Sequence, residues 1–119
     1  NICTNQGLLA LRTTVYLSLM GKKGLPYVAN LCFQKAQYTA NRISKLNKYL
    51  LIYSNNFLKE FIIKTEHSAD KVIKHCHNRG ILINGVDGDE TNSLIQIAVT
   101  EKRTKEEIDL LISTLKDID

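Results

Sequence analysis

The order of apolar and polar residues predicts that the chain opens with two helices. From Leu8 to Met20 apolar residues occur on nearly every side of the predicted helix, interrupted mainly by polar residues at 12–14 and 18, which is typical of a helix that packs on more than one side. Gly21 is a natural C-terminal stop, and residues 21–24 are expected to connect this helix to the next. The second helix is predicted to begin at Pro26, a residue suited to the first helical position, and to end near Asn47.

A change of pattern after the second helix predicts a strand hairpin and a third helix. Tyr49–Tyr53 and Phe57–Lys64 are rich in β-branched and aromatic residues, and Ser54, Asn55 and Asn56 lie between them as a turn. Apolar residues from Ala69 to Cys76 then recur at helical spacing. Gly80 is placed to end this helix with a left-handed residue.

The last forty residues predict one clear strand and one clear helix. Ile81–Ile83 is expected to form a very short strand, Asn84–Ser93 a polar loop, and Leu94–Val99 a strand. Thr104 and Glu107 form a capping box that predicts the start of the final helix. Its apolar residues share one face: Ile108, Leu111, Ile112, Leu115 and Ile118.

This succession of elements predicts an α+β fold in which helices pack on one face of a small, mostly antiparallel sheet. A chain of 119 residues has the size of one domain. Within it, residues 1–48 are expected to form two helices leading in, and residues 49–119 a small α+β unit. Such architectures serve many functions, so the function has to be argued from motifs.

Composition excludes some classes of protein. The hydrophobic content of 44% and charged content of 24% are those of a folded chain, and no apolar stretch approaches the roughly 20 residues that cross a bilayer. Three cysteines without paired spacing favour reduced thiols and a cytoplasmic location. The chain starts at Asn1 with no signal segment before it, which favours a piece of a longer protein.

Two motifs that suggest metal binding are weak. His75, Cys76 and His77 are adjacent on a predicted helix and point in different directions, and His67 adds no second ligand pair, so we expect no zinc site. The acidic run at 85–90 lacks the spacing of a calcium loop and is expected to be a solvated turn.

The net charge of +4 and the lysines and tyrosines between Lys35 and Tyr53 raise nucleic-acid binding as an alternative. The tyrosines lie mostly in apolar stretches that the core would bury, and a basic helix face is usually just solvated. A nucleic-acid partner is therefore not expected.

Stretches at both ends of the chain carry a family resemblance. The opening residues 1–6, Asn-Ile-Cys-Thr-Asn-Gln, and the segment 99–109, Val-Thr-Glu-Lys-Arg-Thr-Lys-Glu-Glu-Ile-Asp, resemble the P-protein of the glycine cleavage system. Segments 15–21, 24–25 and 31–36 resemble the same family in the same order. The similarity is greatest to the first subunit of two-chain bacterial forms. Residues 45–56, which are rich in lysine and asparagine, and residues 84–92 depart from the family pattern.

The resemblance implies the small C-terminal domain of a fold-type I, aspartate-aminotransferase-like enzyme that uses pyridoxal 5'-phosphate (PLP). It implies glycine as substrate, and subunit 2 and the lipoyl H-protein as partners. The PLP-carrying domain would lie outside this chain, so the chain alone is expected to have no catalytic or cofactor-binding residues, to bind no PLP and to be inactive. A stand-alone, non-catalytic binding module is the alternative.

Three residues are candidates for contact with substrate or with the rest of the enzyme. Asn5 and Gln6 precede a buried helix, where polar groups can position a substrate; the alternative is that Thr4 or Asn5 only caps the helix. Arg103 offers a planar fork suited to a carboxylate. Its alternative is an exposed charge beside a helix start.

Overall fold

The computed structural model describes residues 4–53 and 57–118. They form three helices and a four-stranded sheet, in which β1–β2, β2–β4 and β4–β3 pair antiparallel in the order β1-β2-β4-β3. The predicted hairpin turn at 54–56 lies outside the described residues. The elements are α1 (Gln6–Ile43), β1 (Tyr49–Ile52), β2 (Glu60–Thr65), α2 (Ala69–Asn78), β3 (Asn84–Gly85), β4 (Leu94–Ala98) and α3 (Lys105–Lys116).

Helix α1 consists of two helical segments joined at Gly21. That glycine has φ 60° and ψ −171°, a conformation that favours glycine, so the predicted break is confirmed. The prediction of a connection up to Pro26 is wrong, because the second segment resumes directly after Gly21 and Pro26 lies inside it. The helix ends at Ile43, before the predicted Asn47, because turns close at Leu46 and Tyr49 instead.

Most strand and helix predictions for the second half are confirmed, although β2 begins at Glu60 and not at Phe57. The hairpin strands, α2 with a left-handed Gly80 (φ 75°), β4 and the capping box of α3 all form. No strand forms at Ile81–Ile83, where Ile83 is buried in the core. The short strand β3 lies within the predicted loop, because its backbone pairing with Gln96 and Ile95 does not require apolar side chains.

One face of the sheet carries the core. Alternate strand residues point to this face, where helices cover them: Tyr49, Phe61, Ile63, Thr65, Ile95 and Ile97. The predicted apolar face of α3 is buried there in full. From α1 only the second segment contributes, through a single stripe of Cys32, Ala36, Thr39, Ala40 and Ile43.

The turn before β4 is organised by one carboxylate. Asp89 accepts hydrogen bonds from the backbone N–H groups of Thr91, Ser93 and Leu94 and from the Thr91 hydroxyl. These bonds, the Thr91 hydroxyl first, lower the pKa of Asp89 to about 2. The acidic run is therefore a turn closed by its own side chain, and Asn92 from the same turn bonds the start of α2.

The low pKa of Asp89 predicts a specific loss of stability in acid. Because the folded pKa of about 2 lies below the unfolded value of about 3.9, the carboxylate stabilises the fold above pH 4, and this contribution is lost as the pH falls from 4 to 2. Asp89→Asn should be less stable at pH 7 and should lose less stability across that interval than the wild type. Denaturant unfolding at several pH values tests this, with Asp87→Asn as the control. Equal slopes for wild type and Asp89→Asn would contradict it.

Two fully buried threonines allow a matched test of how much a hydrogen bond to a buried hydroxyl contributes to stability. Thr39 donates its hydroxyl to the carbonyl of Lys35 at 2.7 Å, whereas the Thr114 hydroxyl has no partner among the described residues. Thr114→Val should raise the free energy of unfolding by about 1 kcal/mol, because it removes a buried hydroxyl without a hydrogen bond. Thr39→Val should lower it by about 0.5–1 kcal/mol. Denaturant unfolding measures both, and the reverse order of stability would refute the assignment.

Candidate functional site

A groove of about 500 Å³ lies between α3, the end of β4 and residues 80–83. Its apolar walls include Ile83, Ile97, Val99, Ile108 and Leu111, and its polar edge is formed by Thr100, Arg103 and Glu107. A concave, mostly apolar surface with a few convergent polar groups is typical of a binding site. The groove therefore contains one of the three predicted site residues, Arg103.

Arg103 is held by its backbone while its side chain remains accessible. Its N–H donates to the carbonyl of Thr100 at 3.2 Å, which closes the turn before α3. The guanidinium approaches Glu107 at 3.5 Å with both side chains about half exposed, at 49% and 48%. A contact of that length between exposed groups is weak. The fork thus remains able to bind a carboxylate that enters the groove.

Lys35, which the sequence did not single out, fixes the position of this turn. Its Nζ donates to the carbonyl of Glu101 and, at 2.6 Å, to the carbonyl of Arg103. One turn earlier, Cys32 donates its thiol to Glu101 Oε2 at 3.4 Å, and this bond is the main cause of the lowered pKa of Glu101. The sequence did contain a signal for this role. Lys35 lies three residues after Cys32 and four before Thr39, which places it beside the buried stripe of α1.

Asn5 and Gln6 lie at the opposite end of α1 from this groove. Asn5 has φ 68° and makes no side-chain cap, so the capping alternative is wrong for Asn5. Its amide donates to the Thr4 hydroxyl at 3.5 Å, and Gln6 is exposed. No described contact joins either residue to Arg103. Their role in substrate or interface contact stays a prediction.

Basic and aromatic residues between 35 and 53 are largely used inside the molecule. Arg42 donates to the Tyr38 hydroxyl at 2.7 Å and pairs with Asp109 at 3.3 Å. Lys48 donates to the carbonyl of Ile118 at 2.9 Å. The buried Tyr49 donates to the carbonyl of Leu115, and burial raises its pKa to about 12. These contacts count against the nucleic-acid alternative, which needs such groups on the surface.

The histidines and Cys76 do not converge on a common point. Cys76 is buried in the core, and burial raises the pKa of its thiol to about 11, whereas a zinc ligand has to be a thiolate. Across residues 4–53 and 57–118, no three His, Cys, Asp or Glu side chains are arranged to hold a metal ion. In the same ranges, no helix is long and apolar enough to cross a membrane.

The described residues do not fit a complete PLP site. No lysine lines the groove beside Arg103, so this groove has no amine for a Schiff base. Lys35 and Lys105 line a smaller groove beside Tyr38, but Lys35 is bound to two carbonyls and Lys105 to Asp109. What this part of the chain offers is one accessible guanidinium above an apolar groove.

Solved structures define the class of protein to which this fold belongs. The chain superposes with a TM-score of 0.88, over 98% of its length, on 27% of a glycine decarboxylase (P-protein) of the glycine cleavage system, at 25% identity. It superposes with a TM-score of 0.69, over 89% of its length, on 29% of a phosphoserine aminotransferase from Cytophaga hutchinsonii, at 15% identity. The fold is that of part of a fold-type I PLP-dependent enzyme, as predicted.

Sequence comparison then identifies the family. A family model described as "Glycine cleavage system P-protein" matches residues 1–115, and the chain belongs to this family. It is 44% identical over 115 residues to a probable glycine dehydrogenase (decarboxylating) subunit 1 from Prosthecochloris aestuarii, covering 97% of this chain and 26% of that protein. It is 46% identical over 120 residues to a probable glycine dehydrogenase (decarboxylating) subunit 1 from Chloroherpeton thalassium, covering 99% of this chain and 27% of that protein. The chain thus spans about a quarter of the length of these relatives.

The two carbonyl contacts of Lys35 predict a marked effect of its removal. Lys35→Met keeps much of the aliphatic stem but leaves two carbonyls without their donor, and it should lower the free energy of unfolding by about 1–2 kcal/mol. Lys45→Met, at an exposed position just after the same helix, should change it by less than about 0.5 kcal/mol. Denaturant unfolding of the wild type, Lys35→Met and Lys45→Met measures these differences. Equal free energies of unfolding would show that the Lys35 contacts do not stabilise the fold.

Proposed function

We propose that this chain supplies the small C-terminal domain of a glycine dehydrogenase (decarboxylating), as part of subunit 1 of a two-chain P-protein. The observation that carries the proposal is the match of residues 1–115 to the P-protein family, together with the superposition on a P-protein over 98% of the chain. The substrate of the parent enzyme is then glycine, and its partners are subunit 2 and the lipoyl H-protein. The buried free thiols of Cys32 and Cys76 support a cytoplasmic location.

In this proposal the cofactor belongs to the parent enzyme. PLP, when bound there, supplies an electron sink for the decarboxylation of glycine. Residues 1–48 lead into the domain and residues 49–119 form it, while the large PLP-carrying domain lies in the part of the family that this chain does not span. The chain alone is proposed to bind no PLP and to be inactive.

The proposed contribution of this chain to catalysis is the groove beside Arg103, which would form one side of the active site of the parent enzyme. Arg103, anchored through its carbonyl by Lys35, presents its guanidinium at the edge of the apolar groove. A guanidinium there would bind a carboxylate of the substrate or of a facing domain. Asn5 and Gln6 are proposed to act at the junction with the larger domain.

Glycine-dependent exchange of labelled bicarbonate into the glycine carboxyl tests the proposal. The protein is a chimera in which these 119 residues replace the matching quarter of the Chloroherpeton thalassium relative, assayed with H-protein and PLP, with and without subunit 2. Exchange by the chimera in the presence of subunit 2 would show that this chain can supply the matching part of subunit 1. No exchange from a folded complex would overturn the proposal and favour the stand-alone binding module.

The same assay tests Arg103. Arg103→Gln should raise the glycine KM by about 10-fold to 100-fold, because a charge-assisted hydrogen bond to a carboxylate contributes about 1.5–3 kcal/mol. Lys74→Gln removes one exposed positive charge from α2 and should leave KM within about twofold. A KM that is unchanged in Arg103→Gln would place the arginine outside the substrate site.

A further inference from the structure

The edge of the groove beside Arg103 carries two opposite charges. Arg103 Nη1 lies 3.5 Å from Glu107 Oε1, and the two side chains are 49% and 48% exposed. A contact of this length between exposed groups contributes little to stability, so both charges remain able to bind other groups. The edge therefore offers a cation and an anion side by side to a ligand that enters the groove.

The capping box of α3 holds the Glu107 carboxylate in place. Its Oε2 accepts a hydrogen bond from the Thr104 N–H at 2.8 Å, and the Glu107 N–H donates to the Thr104 hydroxyl at 3.2 Å. A carboxylate can accept about four hydrogen bonds, so Oε1 retains acceptor capacity. Glu107 is thus oriented by the start of the helix and is still able to bind a cation.

The spacing of the two charges matches the head group of a free α-amino acid. Standard covalent dimensions place the ammonium nitrogen about 2.5 Å from the carboxylate carbon of such a molecule. The atoms of Arg103 and Glu107 that face each other are 3.5 Å apart, so one amino acid can bind both side chains at the same time. In a peptide the two terminal charges lie on different residues, whose Cα atoms are about 3.8 Å or more apart, and they fit the pair less well.

The same pair of charges disfavours ligands with a single charge. A simple carboxylate bound to Arg103 would lie close to the carboxylate of Glu107, and a simple amine bound to Glu107 would lie close to the guanidinium. Like charges at such a distance repel, and a repulsive contact of this kind is a source of specificity. A zwitterion avoids both repulsions because each of its charges faces the opposite charge.

The walls next to this edge are apolar and partly uncovered. Leu110 lies three residues after Glu107, on the same side of α3 and about 4.5 Å further along its axis. It is 45% exposed, and Leu82, which also lines the groove, is 81% exposed. The groove volume of about 500 Å³ is typical of sites for small molecules. A large apolar side chain would cover these walls, whereas glycine would leave them exposed to water.

We propose that the groove binds a free α-amino acid with a large apolar side chain. Its carboxylate binds Arg103, its ammonium group binds Glu107, and its side chain lies along Leu110. The site uses only residues of this chain, so binding does not depend on the parent enzyme. One consequence does rest on the proposed function: Arg103 cannot bind the glycine carboxylate and this ligand at once, so the amino acid would compete with glycine.

Titration of the isotope-labelled chain with L-leucine, followed by two-dimensional amide NMR, tests the proposal. A ligand of this size is expected to bind with a Kd on the order of 1 mM. The amide signals of Thr100, Arg103, Glu107 and Leu110 should shift with that Kd, and those of β1, which does not line the groove, should not. Unchanged groove signals in the folded chain would overturn the proposal. The measurement needs no enzyme activity, so an inactive chimera would reject only the proposed function.

Three ligands that each lack one part of leucine test the three contacts. Glycine lacks the side chain, isocaproate lacks the ammonium group, and isoamylamine lacks the carboxylate. Each should bind at least about 10-fold more weakly than L-leucine, because a covered apolar side chain and a charge-assisted hydrogen bond each contribute about that factor. Isocaproate that binds as tightly as L-leucine would show a site for simple anions and refute the zwitterion. Glycine that binds as tightly would refute the apolar contact.

Substitutions with matched controls test the two charges. Arg103→Gln and Glu107→Gln should each weaken L-leucine binding by about 10-fold or more. The amide oxygen introduced by Glu107→Gln still accepts the Thr104 N–H, so the start of α3 is preserved. The neighbouring substitutions Lys102→Gln and Glu106→Gln, at exposed positions that do not line the groove, should change binding by less than about twofold. Equal effects of Glu107→Gln and Glu106→Gln would contradict the proposal.

Leu110→Ser tests the apolar wall separately. It should weaken binding of L-leucine by about threefold to 10-fold and leave binding of glycine within about twofold, because glycine has no side chain to contact this wall. Leu50→Ser removes a leucine that is 63% exposed outside the groove and should change neither. A dispersed amide spectrum like that of the wild type shows that each variant is folded. An equal loss of leucine and glycine binding in Leu110→Ser would refute the placement of the side chain.

Discussion

The close approach of the second segment of α1 to the sheet and α3 is the contact on which the rest of the structure depends. Ala36 and Ala40 are fully buried in its contact stripe, and small side chains there let the helix lie near the strands. The helix also contacts β1, β2 and α3, which are far apart in sequence. Lys35, on the flank of the stripe, ties the turn between β4 and α3 to the same helix.

That contact also determines where the accessible chemistry lies. With Glu101 and Arg103 held through their carbonyls, the turn places the half-exposed Arg103 side chain at the edge of the groove. The groove brings together residues from β4, α3 and the segment after α2. On the N-terminal side of Gly21 the same helix continues with exposed apolar side chains, such as Leu8 and Leu19. A domain with one completed core and one uncovered helix is suited to work as part of a larger enzyme.

A second consequence of the fold is that several basic side chains bind acceptors within the chain itself. Several basic residues of the first half are bound to carbonyls and carboxylates of the second half, as in the pair of Arg42 with Asp109. The net charge of +4 therefore overstates what is offered to an anionic partner.

The sequence by itself determined what depends on local pattern. It predicted the α+β class, the break at Gly21, the hairpin, the left-handed Gly80 and the capping box at Thr104, because periodicity, glycine conformation and capping act over a few residues. Its motifs also led to the right family. Only the tertiary structure decided where β3 forms, that Lys35 anchors the turn of Arg103, and that Asn5 and Gln6 lie apart from the groove. Those features depend on residues more than sixty positions apart or on backbone pairing that side-chain pattern does not record.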